Sequence, residues 1–145
     1  MAGPGGPATA RGEDRLTMTH RGSCLCGAVS FTVGAPLRAI IACHCHQCRK
    51  QSGHYYAATE APADAVAITG ENDLKWYRSS QGARRGFCAN CGSALFWRQD
   101  GSDRISILAG SLDGPTGLSI ERHIYCADKG DYYEITDGLP QSAGW

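Results

Sequence analysis

The sequence predicts a mostly β domain. Three observations carry this. Apolar residues come in short or alternating runs; Gly, Pro, Asn and Asp interrupt them at close intervals; and no window of about 12 residues keeps a helical period. In order, the predicted strands are residues 16–21, ending at Gly22; 28–33, between Gly27 and Gly34; 38–43, after Pro36; and 54–60, after Gly53. Next come 65–69, closed by Gly70; 74–78, after Asn72-Asp73; 85–88, after Gly82; and 94–98, after Gly92. The last are 104–109, ahead of Gly110; 121–125; and 132–136, between Gly130 and Gly138. Two short helical turns are expected, at 45–51 and 62–65. Residues 1–15 are Gly/Pro/Ala-rich with no apolar period and read as a flexible tail, leaving 16–145 as one domain.

Composition narrows the function. Among 145 residues, 14 Lys+Arg balance 14 Asp+Glu. A nucleic-acid binder needs surplus cations to displace counterions from phosphates, so no nucleic-acid partner is expected. The longest apolar run, from Ala39 to Cys43, is far below the ~20 residues of a membrane helix, and the N-terminus lacks the apolar stretch of a secretory signal. A cytoplasmic protein is therefore expected, without a membrane partner. Eight cysteines in a reducing compartment point to metal rather than to disulfides. With 19 Gly, ordering the backbone is costly, and metal staples offset part of that cost.

The cysteines are clustered. Cys24 and Cys26 form a C-x-C. Cys43, Cys45 and Cys48 form a triple. Cys88 and Cys91 form a C-x-x-C followed by Gly92, a turn that wraps tightly around one ion. Seven ligands divide naturally into four and three, a closed tetrahedral site and a site with an open position. Spacing alone does not say which C-x-C joins Cys88 and Cys91. The triple is compact enough to stand by itself, which leaves Cys24 and Cys26 for the other pair. His44, His46, His54 and His123 are the possible fourth ligands of the triple. In an extended stretch, His44 and His46 would point away from the face that carries Cys43 and Cys45. Cys126 stands alone and reads as a small buried hydrophobe. The pairs Trp76-Tyr77, Phe96-Trp97 and Tyr132-Tyr133 read as strand residues with one member facing the core, while Tyr55-Tyr56 are candidates to line a pocket.

These segments resemble the glutathione-dependent formaldehyde-activating enzyme family, also known as the centromere-protein-V-like domain. The resemblance rests on Gly22-Ser23-Cys24-Leu25-Cys26-Gly27, on Cys43-His44-Cys45 with Cys48-Arg49-Lys50, and on Arg85-Gly86-Phe87-Cys88 with Cys91-Gly92-Ser93. Ala109-Gly110-Ser111-Leu112-Asp113, His123-Ile124-Tyr125 and Gly138-Leu139-Pro140 extend it. It implies two β-sheets packed in a tent-like arrangement around zinc, with two ions per chain. Cys24, Cys26, Cys88 and Cys91 would hold the structural ion; Cys43, Cys45 and Cys48 would hold the catalytic one. The implied activity is a carbon–sulfur lyase reaction between glutathione and formaldehyde. The chain departs from the family pattern at His46, at Cys126 and after Gln141.

A thiol entering the open position of a three-thiolate zinc can lose its proton and attack an aldehyde. His46, His54 and Tyr55 are the nearest acid/base candidates in sequence. Arg49 and Lys50 are candidates to attract the carboxylates of a thiol substrate such as glutathione. Arg84 and Arg85 read as solvated surface charges. The rival readings are a non-catalytic zinc-stapled binding module and a thiol redox or metal-handling protein.

Overall fold

The computed structural model describes residues 19–145. The expected tail over 1–15, and most of the strand expected over 16–21, lie outside the described residues. Ten strands follow: β1 (His20–Ser23), β2 (Ser30–Val33), β3 (Ile40–Cys43), β4 (Tyr56–Pro62), β5 (Val66–Thr69), β6 (Leu74–Ser80), β7 (Ala83–Cys88), β8 (Ala94–Gln99), β9 (Arg104–Leu108) and β10 (Ile120–Ile124). One short helix, α1 (His46–Ser52), and several single 3-10 turns, including Ala63–Ala65, complete the fold.

The strands form two sheets. A small one has the order β1-β2-β5, and a seven-stranded one has the order β10-β3-β4-β9-β8-β7-β6. All pairings are antiparallel except β10 on β3, which is parallel. The mostly β, two-sheet architecture expected from the sequence is the observed one.

Alternation explains the layering. Val29, just before β2, and Phe31 and Val33 of the small sheet meet Ala61, Leu95, Phe96, Ile105 and Ile107 of the large one in a single buried cluster. Phe31 meets Phe96 edge-on at 5.3 Å, and Trp76 stacks on Phe96 at 6.1 Å. The packing of β1 against the Phe31 ring and the turn at Ser111 requires Gly22, where a Cβ would lie 2.4 Å from both the ring and the Ser111 carbonyl. The opposite parity along β4 and β9 points Tyr56, Ala58 and Leu108 to the other face of the large sheet. There they form a second, smaller cluster with Cys48 of α1.

Ten of the expected strands have a counterpart. The expected strand over 132–136 does not: these residues are turn and unpaired coil. The sheet edge they would need is taken. Residues 140–144 run along β10, with His123 N donating to Pro140 O at 2.9 Å, Ser142 N to His123 O at 2.9 Å and Tyr125 N to Gly144 O at 2.8 Å. Tyr133 instead stacks on His44 and bonds its ring nitrogen through the hydroxyl. Both expected helical turns form, as α1 and as Ala63–Ala65. Among the described residues no helix is long and apolar enough to cross a membrane.

Candidate metal centres

The two turns that leave the core carry four converging cysteines. Cys24 and Cys26 follow β1; Cys88 ends β7 and Cys91 lies in the turn before β8. Gly27 (φ 82°) and Gly92 (φ 83°) supply the left-handed backbone that closes each turn. The four sulfurs lie within 4.8 Å of one another, with Cys24–Cys26 at 3.7 Å and Cys26–Cys88 at 3.9 Å. Thiolates about 2.3 Å from one tetrahedral ion stand about 3.8 Å apart. A disulfide needs about 2.05 Å, and all eight cysteines are free. Donors aim at the sulfurs: Val29 N reaches Cys24 at 3.3 Å, Asn90 N reaches Cys88 at 3.3 Å, and Asn90 Nδ2 reaches Cys26 at 3.2 Å. The Ser93 hydroxyl, 3.3 Å from Cys91 Sγ, and the Ser93 amide hold the Cys91 thiol down to about 5. Donor-rich sulfurs at metal-site spacing fit a bound cation. Cys24 and Cys88 also belong to the main core, so this group ties both sheets at one end.

The triple lies on the other face of the large sheet. Cys43 ends β3, Cys45 caps α1, and Cys48 sits in its first turn. Their sulfurs also lie within 4.8 Å of one another. Cys45 Sγ accepts from Cys48 N at 3.3 Å, replacing the usual oxygen of a helix cap. The neighbouring Cys43 and Cys48 thiols, with the Cys48 and Gln47 amides, hold Cys45 down to about 2. The same contacts push Cys43 up, because it acts as the donor. A cleft of about 640 Å³ opens over the triple, with Tyr56, Arg85, Trp97 and Tyr125 among its walls. Tyr125 adopts a left-handed backbone (φ 55°), unusual for a non-glycine residue.

No histidine joins the three-cysteine group among the described residues. His44 is buried and turned away: its Nε2 lies 2.8 Å from His123 Nδ1, and His123 Nε2 lies 2.8 Å from Asp137 Oδ2. Burial and the neighbouring His123 hold His44 down to about 4. His46 lines the cleft, with its Nδ1 3.3 Å from Arg49 Nη2.

The remaining sequence-derived candidates scatter. His54 and Tyr55 do not line this cleft; they pack with His44 and Tyr133 on the opposite side of the sheet from Tyr56. Arg49 and Lys50 lie on α1 outside the cleft lining, and Lys50 is exposed. Cys126 is half-buried in a 3-10 turn and belongs to neither group.

Arg85 corrects the sequence reading. Expected on the surface, it is only 4% exposed. Its Nη1 and Nη2 each lie 3.7 Å from Cys48 Sγ, Nη2 also reaches Gln47 Oε1 at 3.4 Å, and the guanidinium stands 5.0 Å over the Tyr56 ring. Burial works against its charge, but the Cys48 sulfur outweighs it and keeps the group firmly protonated. Tyr56 is buried with no hydrogen-bond partner for its hydroxyl, and burial pushes it up to about 12. Strand parity was the available signal: counting back from the core-facing Cys88, Arg85 falls on the cleft face.

Comparison with known proteins fits this arrangement. Residues 19–128 match the family described as glutathione-dependent formaldehyde-activating enzyme. An uncharacterized lyase of Schizosaccharomyces pombe is 28% identical over 119 residues, covering 81% of this chain and 86% of that protein. A Halomonas elongata protein named "Putative glutathione-dependent formaldehyde-activating enzyme" is 31% identical over 129 residues, covering 81% and 82%. A crystal structure of a Rhodobacter sphaeroides protein shares the fold, with a TM-score of 0.55 at 24% identity over 67% of this chain and 91% of that one. By the match over residues 19–128 and the two cysteine groups within it, the chain belongs to the glutathione-dependent formaldehyde-activating enzyme family.

Proposed function

We propose that the protein is a carbon–sulfur lyase acting on a thiol–aldehyde adduct of the S-hydroxymethylglutathione type. The observation that carries this reading is the contrast between the two cysteine groups. Four sulfurs converge in one group, whereas three sulfurs face a roomy cleft with no fourth Cys, His, Asp or Glu joining them among the described residues. Cys24, Cys26, Cys88 and Cys91 would hold a structural zinc; Cys43, Cys45 and Cys48 would hold the second. Bound there, zinc would supply Lewis acidity and keep an entering thiol as thiolate at neutral pH.

The chain's own residues do the rest. Ile41, Trp97 and Tyr125 give the cleft an apolar wall against which the substrate would pack. Arg38 and Glu60, 3.8 Å apart and half-buried, offer both signs of charge to a substrate bearing carboxylates and an ammonium. Arg49 and Lys50 do not themselves line the cleft, though Arg49 Nη2 lies 3.3 Å from Nδ1 of the cleft-lining His46. In the cleaving direction the adduct hydroxyl loses its proton, the carbon–sulfur bond breaks to release formaldehyde, and the sulfur leaves as thiolate. His46 is an imidazole of the cleft lining and would take the hydroxyl proton. The substrate is a small thiol with an aldehyde, and free thiols of this number suit a reducing cytoplasm.

The test is exchange spectroscopy by NMR of formaldehyde hydrate with its glutathione adduct. The purified protein should speed the exchange, and Cys48→Ser should abolish the effect while the fold survives. Exchange at the uncatalysed rate with both metal ions present refutes the lyase reading and leaves a non-catalytic zinc module.

A further inference from the structure

Arg85 is a buried cation with no acidic partner. No Asp or Glu forms an ion pair with it among the described residues, and its Nε has no hydrogen-bond partner. Its acceptors are the Cys48 sulfur and the Gln47 amide oxygen. Burying an unpaired guanidinium is costly, so the cysteine group must provide the counter-charge. The dependence runs both ways. Three thiolates outweigh one divalent ion by a single negative charge, and Arg85 cancels it. The Tyr56 face and Gln47 fix the guanidinium in place, so the compensation is preorganised rather than recruited.

We infer that Arg85 is the positioning residue that lets the three-cysteine centre accept an anionic fourth ligand. Without it, a thiolate arriving at that centre would raise the local charge to minus two inside a largely buried wall. With it, the loaded centre is neutral before the anion arrives and carries one negative charge after. The selectivity is for charge, not for shape: an anion needs Arg85, and a neutral ligand does not. This deepens the lyase proposal and rests on its three-cysteine metal site, but the two can fail separately.

The experiment uses the protein with cobalt(II) in place of zinc, whose visible spectrum reports a new ligand. Three probes are titrated: glutathione, thiocyanate as a simple anion, and imidazole as a neutral ligand. Arg85→Met, Arg85→Gln and Arg85→Lys are compared with the unchanged protein, with metal content and circular dichroism measured on each. A unit charge at this range in a partly buried site is worth about ten- to a hundredfold in affinity. Arg85→Met and Arg85→Gln should therefore bind thiocyanate and glutathione about ten- to a hundredfold more weakly, with imidazole changed by less than about threefold. Arg85→Lys should recover most of the loss. Equal anion affinity in all variants overturns the inference. So does a parallel loss of anion and imidazole binding, or loss of the second metal from every variant, because either result marks a purely structural role. Arg85-dependent thiocyanate binding without glutathione binding overturns the lyase proposal alone. Binding of no probe by the unchanged protein overturns both.

Discussion

Replacing Cys88 by Ser should nearly unfold the domain, whereas replacing Cys48 by Ser should not. Cys26 and Cys88 are 62 residues apart in sequence with sulfurs 3.9 Å apart, so one ion bridging them closes a long loop. A cross-link over that length withdraws about 4 kcal/mol of chain entropy from the unfolded state. Domains of this size are stable by only about 5–15 kcal/mol. Cys88 is also fully buried in the main core, where a more polar hydroxyl in place of the sulfur adds a further cost. The ion at the triple ties residues 43–48, already neighbours in the chain, and its cluster lies outside the main core. Thermal unfolding by circular dichroism, with metal content measured on the same samples, compares the two variants at fixed protein and metal concentration. Each should lose one ion. Cys88→Ser should melt at least about 10 °C lower, and Cys48→Ser should fall by clearly less. Cys88→Ser melting with the unchanged protein, or Cys48→Ser melting lower than Cys88→Ser, would show that the closed and open sites have been assigned the wrong way round.

Three further outcomes follow. Phe96→Ala removes the ring that Phe31 and Trp76 pack against and should cost about 3–5 kcal/mol in urea unfolding with the slope unchanged. Gly70→Ala combines a left-handed backbone (φ 86°) with a Cβ 1.9 Å from the Ala28 carbonyl, so it should destabilise by about 2 kcal/mol or more, read as a lower melting temperature. Lys50→Gln should change glutathione affinity by less than about twofold, measured on the cobalt spectrum, since this exposed side chain does not line the cleft.

The fold was largely legible because its strands advertise themselves locally. In β2, Phe31 and Val33 alternate with Ser30 and Thr32, and one Gly closes the run at each end. The cysteine grouping was legible too, since turn-forming glycines sit beside the ligands that the turns present. What local pattern could not carry was competition and facing. Residues 132–136 have strand-like composition, but residues 140–144 occupy the edge of β10, and nothing within a short window shows which segment wins it. Tyr55 and Tyr56 are neighbours in sequence, yet Tyr56 lines the cleft over the triple while Tyr55 lines a separate pocket with Ala57, and proximity in the chain does not distinguish the two. Arg85 was misread for a different reason. A charge is expected in water unless a partner repays its burial, and that partner, Cys48, is 37 residues away on another element.

The segment along β10 also bears on how the molecule resists association. An unpaired strand edge is a template for another chain. The large sheet has two ends; residues 140–144 run along the β10 end, so among the described residues β6 is its one outer strand with no chain beside it. That strand is protected differently. Lys75 and Arg78 stand exposed on it, and Arg78 pairs with Asp100 at 2.8 Å. A second copy docking strand to strand there would have to bury the charge of Lys75 and the Arg78–Asp100 pair, so charged side chains guard the edge that pairing leaves open.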